Sequence, residues 1–307
     1  MLLAWPVGLL VWANGTIQHV DALSGTADTT PGTTYLLAGS DARGGADGVK
    51  QDSTVGERSD TIMVLHVPSS GPTALISLPR DTYAEIPGHG TQKLNAAYAF
   101  GGAPLLVASV EQLTGMHVDH YVEIGMGGVS QIVTAVGGVR LCFDPEIDKV
   151  DFPIADKDSK LTWAKPGCRT VDGTTAVAYA RMRKADREGD IGRARRQQRL
   201  ISSLTAQVSD RSLLWKPTRQ VALIDAGLGA LRVSDGTNII DLGRLALAFR
   251  AASGPDGVHG TPPIANPDYR PGGVGSTVLL DPETTPAFFA PVTDGSLEPG
   301  PVGGVER

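Results

Sequence analysis

Three β-rich segments near the start of this chain constrain it most: "TYLLAG" (34–39), "TIMVLHV" (61–67) and "TALISL" (73–78). β-Branched and aliphatic residues fill all three, and Gly, Pro, Ser and Asp crowd the stretches between them. Only "PSSGP" separates the second from the third, with "PSSG" as the turn. A connection that short joins antiparallel neighbours, so the pair reads as a hairpin. The first segment instead runs into a long loop, "SDARGGADGVKQDSTVGERSD".

After the hairpin, "PRDTYAEIPG" reads as irregular. "APLLVASVEQLTG" is helical by pattern, with Pro104 in its first turn and Gly115 just past its end. "HYVEI", "GGVSQIVTAV" and "VRLCF" follow as strand, helix and strand, the order of a βαβ unit. "DGTTAVAYA" is a short helix with Asp172 as N-cap. "GRARRQQRLISSLTAQV" is an amphipathic helix whose buried side would carry Ile201, Leu204 and Val208. "TNIIDLGRLALAFRAA" gives a helix, "STVLL" a strand and "DPETTPAFFAPV" a last helix. The Gly- and Pro-rich tail, 293–307, is expected to be disordered. No linker and no internal repeat divides the pattern, which predicts one layered α/β domain.

Residues 1–17, "MLLAWPVGLLVWANGTI", are almost wholly apolar. They fall short of the ~20 residues of a full span and lack a basic start and a cleavage site. Trp5 and Trp12 suit a membrane interface, so the stretch reads as part of an anchor, the alternative being a buried N-terminal helix. An anchor would place everything downstream outside the cytoplasm, where disulfides persist.

Several functions are excluded. The net charge of −6 argues against a general nucleic-acid binder. No phosphate-binding P-loop, dinucleotide fingerprint or nucleophile elbow is present. Cys142 and Cys168 form no CxxC, and "HVDH" (117–120) is too short a signal for zinc.

The charges have a geometric consequence. In a hairpin, residues before the first strand lie beside those after the second. Arg58 and Asp60 are therefore expected to share one sheet edge with Arg80 and Asp81. Asp41 joins them if the first strand runs in the sense of the third. The plain alternative is four or five solvated loop charges, but acids and arginines meeting at one edge make a candidate site.

A second concentration lies in "YARMRKADREGDIGRARRQQR", which holds seven arginines. Arg193 and Gln197 are four apart on one helix face, near an N-terminus that favours anions. Arg181 and Arg183 lead toward that end. Three guanidinium groups and a helix N-terminus suit a pyrophosphate. Asp190 is close enough to orient one arginine, while Arg195, Arg196 and Arg199 are expected to form an outer, solvated face. Interleaved acids and a single aromatic disfavour nucleic acid here.

"LLAGSDAR", "RSDTIMVLHV", "ALISLPRDTYAEIPG", "KLNAAYAFGG", "GGVRL" and the arginine stretch, in this order, resemble the LytR–CpsA–Psr family of bacterial cell-wall proteins. The resemblance implies an α-β-α sandwich with a mixed central sheet over residues 30–292, on the outer side of the membrane and held there by a single anchor. It implies transfer of a glycopolymer from a polyprenyl-pyrophosphate carrier to peptidoglycan. Asp41 and Asp60 would hold Mg²⁺ or Mn²⁺. Arg58, Arg80, Arg181, Arg183, Arg193 and Gln197 would bind the pyrophosphate, with Asp190 in support. Arg80 and the carboxylates of Asp81 and Asp190 are the catalytic candidates, either acid serving as base. The alternative is a polyprenyl-pyrophosphate binder or pyrophosphatase without ligase activity. The cysteine pair and Ala- and Gly-rich composition lean toward arabinogalactan as the polymer, with teichoic acid and capsule also compatible. In such a compartment Cys142 and Cys168 are expected to pair, worth about 3 kcal/mol in the chain-entropy model.

Overall fold

The computed structural model describes residues 4–25, 27–40, 59–182, 185–187, 190–208 and 217–305. These begin with α1 (Ala4–Thr16), β1 (Gln18–Val20), β2 (Thr33–Ser40), β3 (Ser59–Val67) and β4 (Ala74–Leu78). Next come β5 (Tyr83–Ile86), β6 (Gly90–Lys93), α2 (Ala96–Thr114) and β7 (His120–Gly125). A second compact unit follows, from Met126 to Ala230. It contains α3 (Met126–Ala135), β8 (Val139–Phe143), α4 (Pro145–Asp148), β9 (Ile154–Asp156), β10 (Leu161–Trp163), β11 (Gly167–Val171), α5 (Gly173–Arg181), α6 (Asp190–Val208) and α7 (Pro217–Ala230). The chain then rejoins the first unit with β12 (Leu231–Ser234), α8 (Ile239–Ala252), β13 (Val258–Tyr269), β14 (Thr277–Leu280), α9 (Thr285–Asp294) and β15 (Gly300–Val305).

The first unit is built on a mixed sheet in the order β1-β12-β7-β2-β3-β4-β13-β14, with β15 added to β13. β3 and β4 form the expected hairpin, Val64 opposite Ile76. β2 runs antiparallel to β3, and therefore in the sense of β4, with Ala38 opposite Ile62. Side-chain alternation feeds two cores. Leu36, Ala38, Ile62, Val64, Ile76 and Leu78 face α2 and α9. Tyr35, Leu65 and Leu75 face Ala248 and Ala252 of α8. Helices thus cover both faces, the expected α/β layering. Each fully buried aliphatic side chain adds about 1.5–3 kcal/mol. α2 contains the helix expected from Ala103 plus an earlier turn, with a break at Gly102, whose φ of 65° is open to glycine.

The second unit has its own core, in which Phe143, Trp163 and Tyr179 pack ring against ring. Asp172 caps α5 by accepting from the Thr175 amide at 2.8 Å. β8 and β11 pair antiparallel with Cys142 directly opposite Cys168, and a disulfide joins them.

The structure corrects several expectations. β8 pairs with β11 rather than entering the main sheet, so β7, α3 and β8 are no βαβ unit. "PRDTYAEIPG" is not irregular, because β5 pairs with β6 through Tyr83 and Lys93. The tail is not wholly disordered: β15 runs parallel to β13, Val302 opposite Gly260. The buried seam of α6 follows Gly192, Arg196 and Leu200, leaving Ile201 39% exposed. At the N-terminus, Leu10, Val11 and Trp12 of α1 are exposed, so α1 is not a buried helix. No helix among the described residues is long and apolar enough to cross a membrane.

His66 on β3 is fully buried between Thr34 of β2 and the Thr293 carbonyl of α9, at 3.0 and 3.1 Å. The carbonyl can only accept, so Nε2 carries the proton and Nδ1 accepts from Thr34. Burial pushes the imidazole below its ordinary value, outweighing the Thr293 carbonyl and Asp119. A histidine kept neutral in the folded state supports stability fully above about pH 6.5 and progressively less as pH falls toward its folded-state pKa. The measured free energy of unfolding should therefore fall between about pH 7 and pH 5 more steeply in the wild type than in His66→Gln. Equal slopes would remove His66 as the cause.

Candidate functional site

At one edge of the first unit, the strand register does what the hairpin implies. Ile62 pairs with Leu78, so Asp60 and Arg80 each lie two residues further toward the same edge. Ser40 pairs with Ser59, bringing the chain end before Asp41 to that edge too. Asp41, Arg58 and Arg183 lie outside the described residues, as do the side chains of Asp60, Asp190 and Arg193.

The turn from Pro79 to Thr82 presents Arg80 and Asp81. All four of its carbonyls accept hydrogen bonds. The Thr82 amide donates to Pro79 (2.9 Å), while the carbonyls of Arg80, Asp81 and Thr82 accept from Asn95 (3.0 Å), Val278 (2.8 Å) and Leu94 (2.8 Å). A turn tied at each carbonyl resists swinging its side chains by moving the backbone. The Asp81 carboxylate lies 3.1 Å from Lys93 Nζ and 3.5 Å from Arg80 Nε. This carboxylate orients two cations, and a preorganised cationic pair suits a phosphate oxyanion.

Beneath the same edge lies a polar group in the core. Glu123 of β7 is buried, and the hydroxyls of Tyr98 and Tyr121 donate to it at 3.0 Å. Burial, reinforced by the Glu123 charge, keeps the Tyr121 hydroxyl protonated far above its ordinary range. Three satisfied polar groups here specify how α2 docks on the sheet.

In the second unit, Arg181 ends α5 and is exposed, whereas Gln197 on α6 is half-buried. Asp190 and Arg193 belong to the first turn of α6, where free amides favour an anion. The outer arginines are not a solvated face. Arg196 is 0% exposed and ion-paired with Asp186. Arg199 is paired with the buried Asp148, and Arg195 donates to the Ile147 carbonyl at 2.7 Å. Buried acids on α4 and the α5–α6 segment draw these side chains inward, which the charge pattern alone could not reveal.

A sequence profile of the LytR_cpsA_psr family matches residues 13–232. The chain belongs to this family. It is 39% identical over 290 residues to the probable cell wall biosynthesis protein LcpB of Corynebacterium glutamicum, covering 91% of this chain and 66% of that protein. It is 38% identical over 193 residues to the polyisoprenyl-teichoic acid–peptidoglycan teichoic acid transferase TagU of Halalkalibacterium halodurans, covering 62% of this chain and 57% of that one. The chain thus spans less than two thirds of the length of both relatives. Among solved structures, the LytR-Csp2A-Psr enzyme from Actinomyces oris superposes with a TM-score of 0.66 at 20% identity, over 90% of this chain and 96% of that one, a likeness of fold.

Lys93 and Glu123 join the site region through pairing and burial that the sequence pattern does not show. "KLNAAYAFGG" contains Lys93, and a lone glutamate in the apolar strand "HYVEI" was the signal for Glu123. The pairing of Arg199 with Asp148 gives a stability test. Arg199→Ala leaves a buried carboxylate with less compensation and should cost about 1–3 kcal/mol in denaturant unfolding. A solvated arginine would cost under about 0.5 kcal/mol.

Proposed function

We propose that this protein transfers a glycopolymer from a polyprenyl-pyrophosphate carrier to peptidoglycan, on the outer face of a membrane to which its N-terminal segment anchors it. The turn carrying Arg80 supports this most directly: a guanidinium and an ammonium held by one carboxylate, on a backbone with no slack, suit the charge of a phosphoryl group. The names of LcpB and TagU lend the reading its chemical class.

In the proposed reaction a peptidoglycan hydroxyl attacks the phosphorus that bears the glycan. The new P–O bond forms a phosphodiester, the pyrophosphate P–O bond breaks, and polyprenyl phosphate leaves. The hydroxyl proton passes to a carboxylate, for which Asp81 and Asp190 are the candidates. Arg58, Arg80, Arg181, Arg183, Arg193 and Gln197 would bind pyrophosphate oxygens, supplying charge neutralisation and orientation rather than covalent chemistry.

Asp41 and Asp60 would hold the divalent cation. The fit rests on the donor set and the register: each aspartate directly follows one member of the paired Ser40–Ser59, and hard carboxylate oxygens suit Mg²⁺ or Mn²⁺. Such an ion would supply further neutralisation of phosphate charge.

Among polymers we favour arabinogalactan, on the cysteine pair and the Ala- and Gly-rich composition. The deciding experiment incubates the protein with lipid-linked glycan and peptidoglycan. A covalent glycan–peptidoglycan product is expected, lost on addition of EDTA and regained with Mg²⁺ or Mn²⁺. Free phosphate without linkage would make the protein a pyrophosphatase instead, and full transfer in EDTA would remove the metal. Arg193→Lys keeps the charge but loses the planar fork, and should lower transfer about tenfold or more.

A further inference from the structure

We propose that Arg196 and Asp186 form a buried positioning pair that sets the spacing of the anion-binding side chains in the second unit. The inference rests on the pyrophosphate role proposed above for Arg181, Arg183, Arg193 and Gln197.

The side chains of Arg196 and Asp186 are both 0% exposed. The Arg196 guanidinium makes three kinds of contact. Nε donates to the Tyr179 carbonyl at 3.2 Å, Nη1 to the Asp186 carboxylate and Nη2 to the Met182 carbonyl. Tyr179 lies in the last turn of α5, and Met182 is its C-cap. All three acceptors therefore belong to the end of α5 and the segment leaving it, while the donor belongs to α6.

The sequence positions give this its meaning. Met182 stands between Arg181 and Arg183; Arg196 stands three residues after Arg193 and one before Gln197. One guanidinium thus joins the end of α5, which carries Arg181, to α6, which carries Gln197. The exit segment is held from its other side as well. The Ala185 amide donates to the buried Asp156 at 3.3 Å, and Asp186 bridges to Val150. The approach of α6 is so close that a β-carbon at Gly192 would collide with the Asp186 carboxylate.

Stability does not explain such a pair. Removing two charges from water is costly, and apolar residues of similar volume often stabilise a fold as well or better. A planar fork adds direction: it fixes the position and orientation of two carbonyls and a carboxylate at once, which neither an ammonium nor an apolar group can do. Arg196 touches no reacting atom in this account. It acts through the backbone that presents other side chains, so it is a positioning residue.

Two variants of the full chain separate positioning from packing: the double Asp186→Leu, Arg196→Met and the single Arg196→Lys. Geranylgeranyl pyrophosphate is the probe, with affinity read by calorimetry and folding by thermal denaturation. The double variant is expected to unfold near the wild-type temperature yet bind the probe about tenfold or more weakly, because the spacing is no longer enforced. Arg196→Lys should also weaken binding, since one ammonium cannot serve all three acceptors in plane. Should the double variant not fold, Arg196→Lys decides with the same two outcomes. Wild-type affinity in a folded variant would make the pair packing alone and overturn the inference. A wild-type protein that does not bind the probe would overturn the pyrophosphate reading itself, and this inference with it.

Discussion

The register of β3 between β2 and β4 is the constraint on which the first unit depends. Because β3 is buried on both faces, a slip of one residue would exchange Ile62 and Val64 for Met63 and Leu65 against α2. Two different faces reject that exchange, and a polar lock makes it costlier. Thr34 and His66 are register partners, and their side chains bond across the pair. A slip would separate them and strand a buried imidazole, at a cost of about 1–3 kcal/mol for each unsatisfied group. The lock sits at the end of the strands away from Arg80. Structural polarity lies at one end of the sheet, and the cationic turn at the other.

That turn shows how a loop becomes rigid without becoming regular. The carbonyls of Arg80, Asp81 and Thr82 accept from two separate segments of the first unit: the Leu94–Asn95 junction between β6 and α2, and Val278 of β14. Charged side chains on a flexible loop would spend binding energy on ordering themselves. Here the ordering has been done in folding. The Asp81 carboxylate further restricts Arg80 and Lys93, so the proposed anion would meet cations whose rotamers are already limited.

Much of the fold was legible because it follows local rules. Alternation and a tight turn gave β3 and β4, and Asp172 before a small-residue run gave the α5 cap. Pairing partners were less legible. "VRLCF" reads as a strand wherever its partner lies, and nothing local says that its partner is the segment carrying Cys168 rather than the main sheet. The tail failed for a related reason. Gly and Pro argue against a self-supporting strand, but β13 supplies a template, and β15 needs only to accept its register. Of the candidate site, the edge shared by Asp60 and Arg80 followed from hairpin geometry. Lys93 did not, because "PRDTYAEIPG" lacks the alternation of a strand, and only the pairing of β5 with β6 returns Lys93 to Asp81.

The arginine-rich stretch was the hardest to read, and for an instructive reason. Arginine is almost never fully buried unless paired, so exposure is the default reading for any that lacks a site. The acids that overturn it are distant in sequence or hidden in a loop: Asp148 for Arg199, Asp151 for Arg187 and Asp186 for Arg196. The Arg187 pair is exposed and contributes little. The other two are shielded and directional. A dense run of positive charge in an acidic chain therefore has two causes at once. Arg196 and Arg199 join secondary-structure elements by reading carbonyls and carboxylates, while Arg181, at the exposed end of α5, stays turned to solvent. On α6 the two sets alternate in sequence, Arg193, Arg196, Gln197 and Arg199, so that residues holding the backbone stand next to residues proposed to bind substrate.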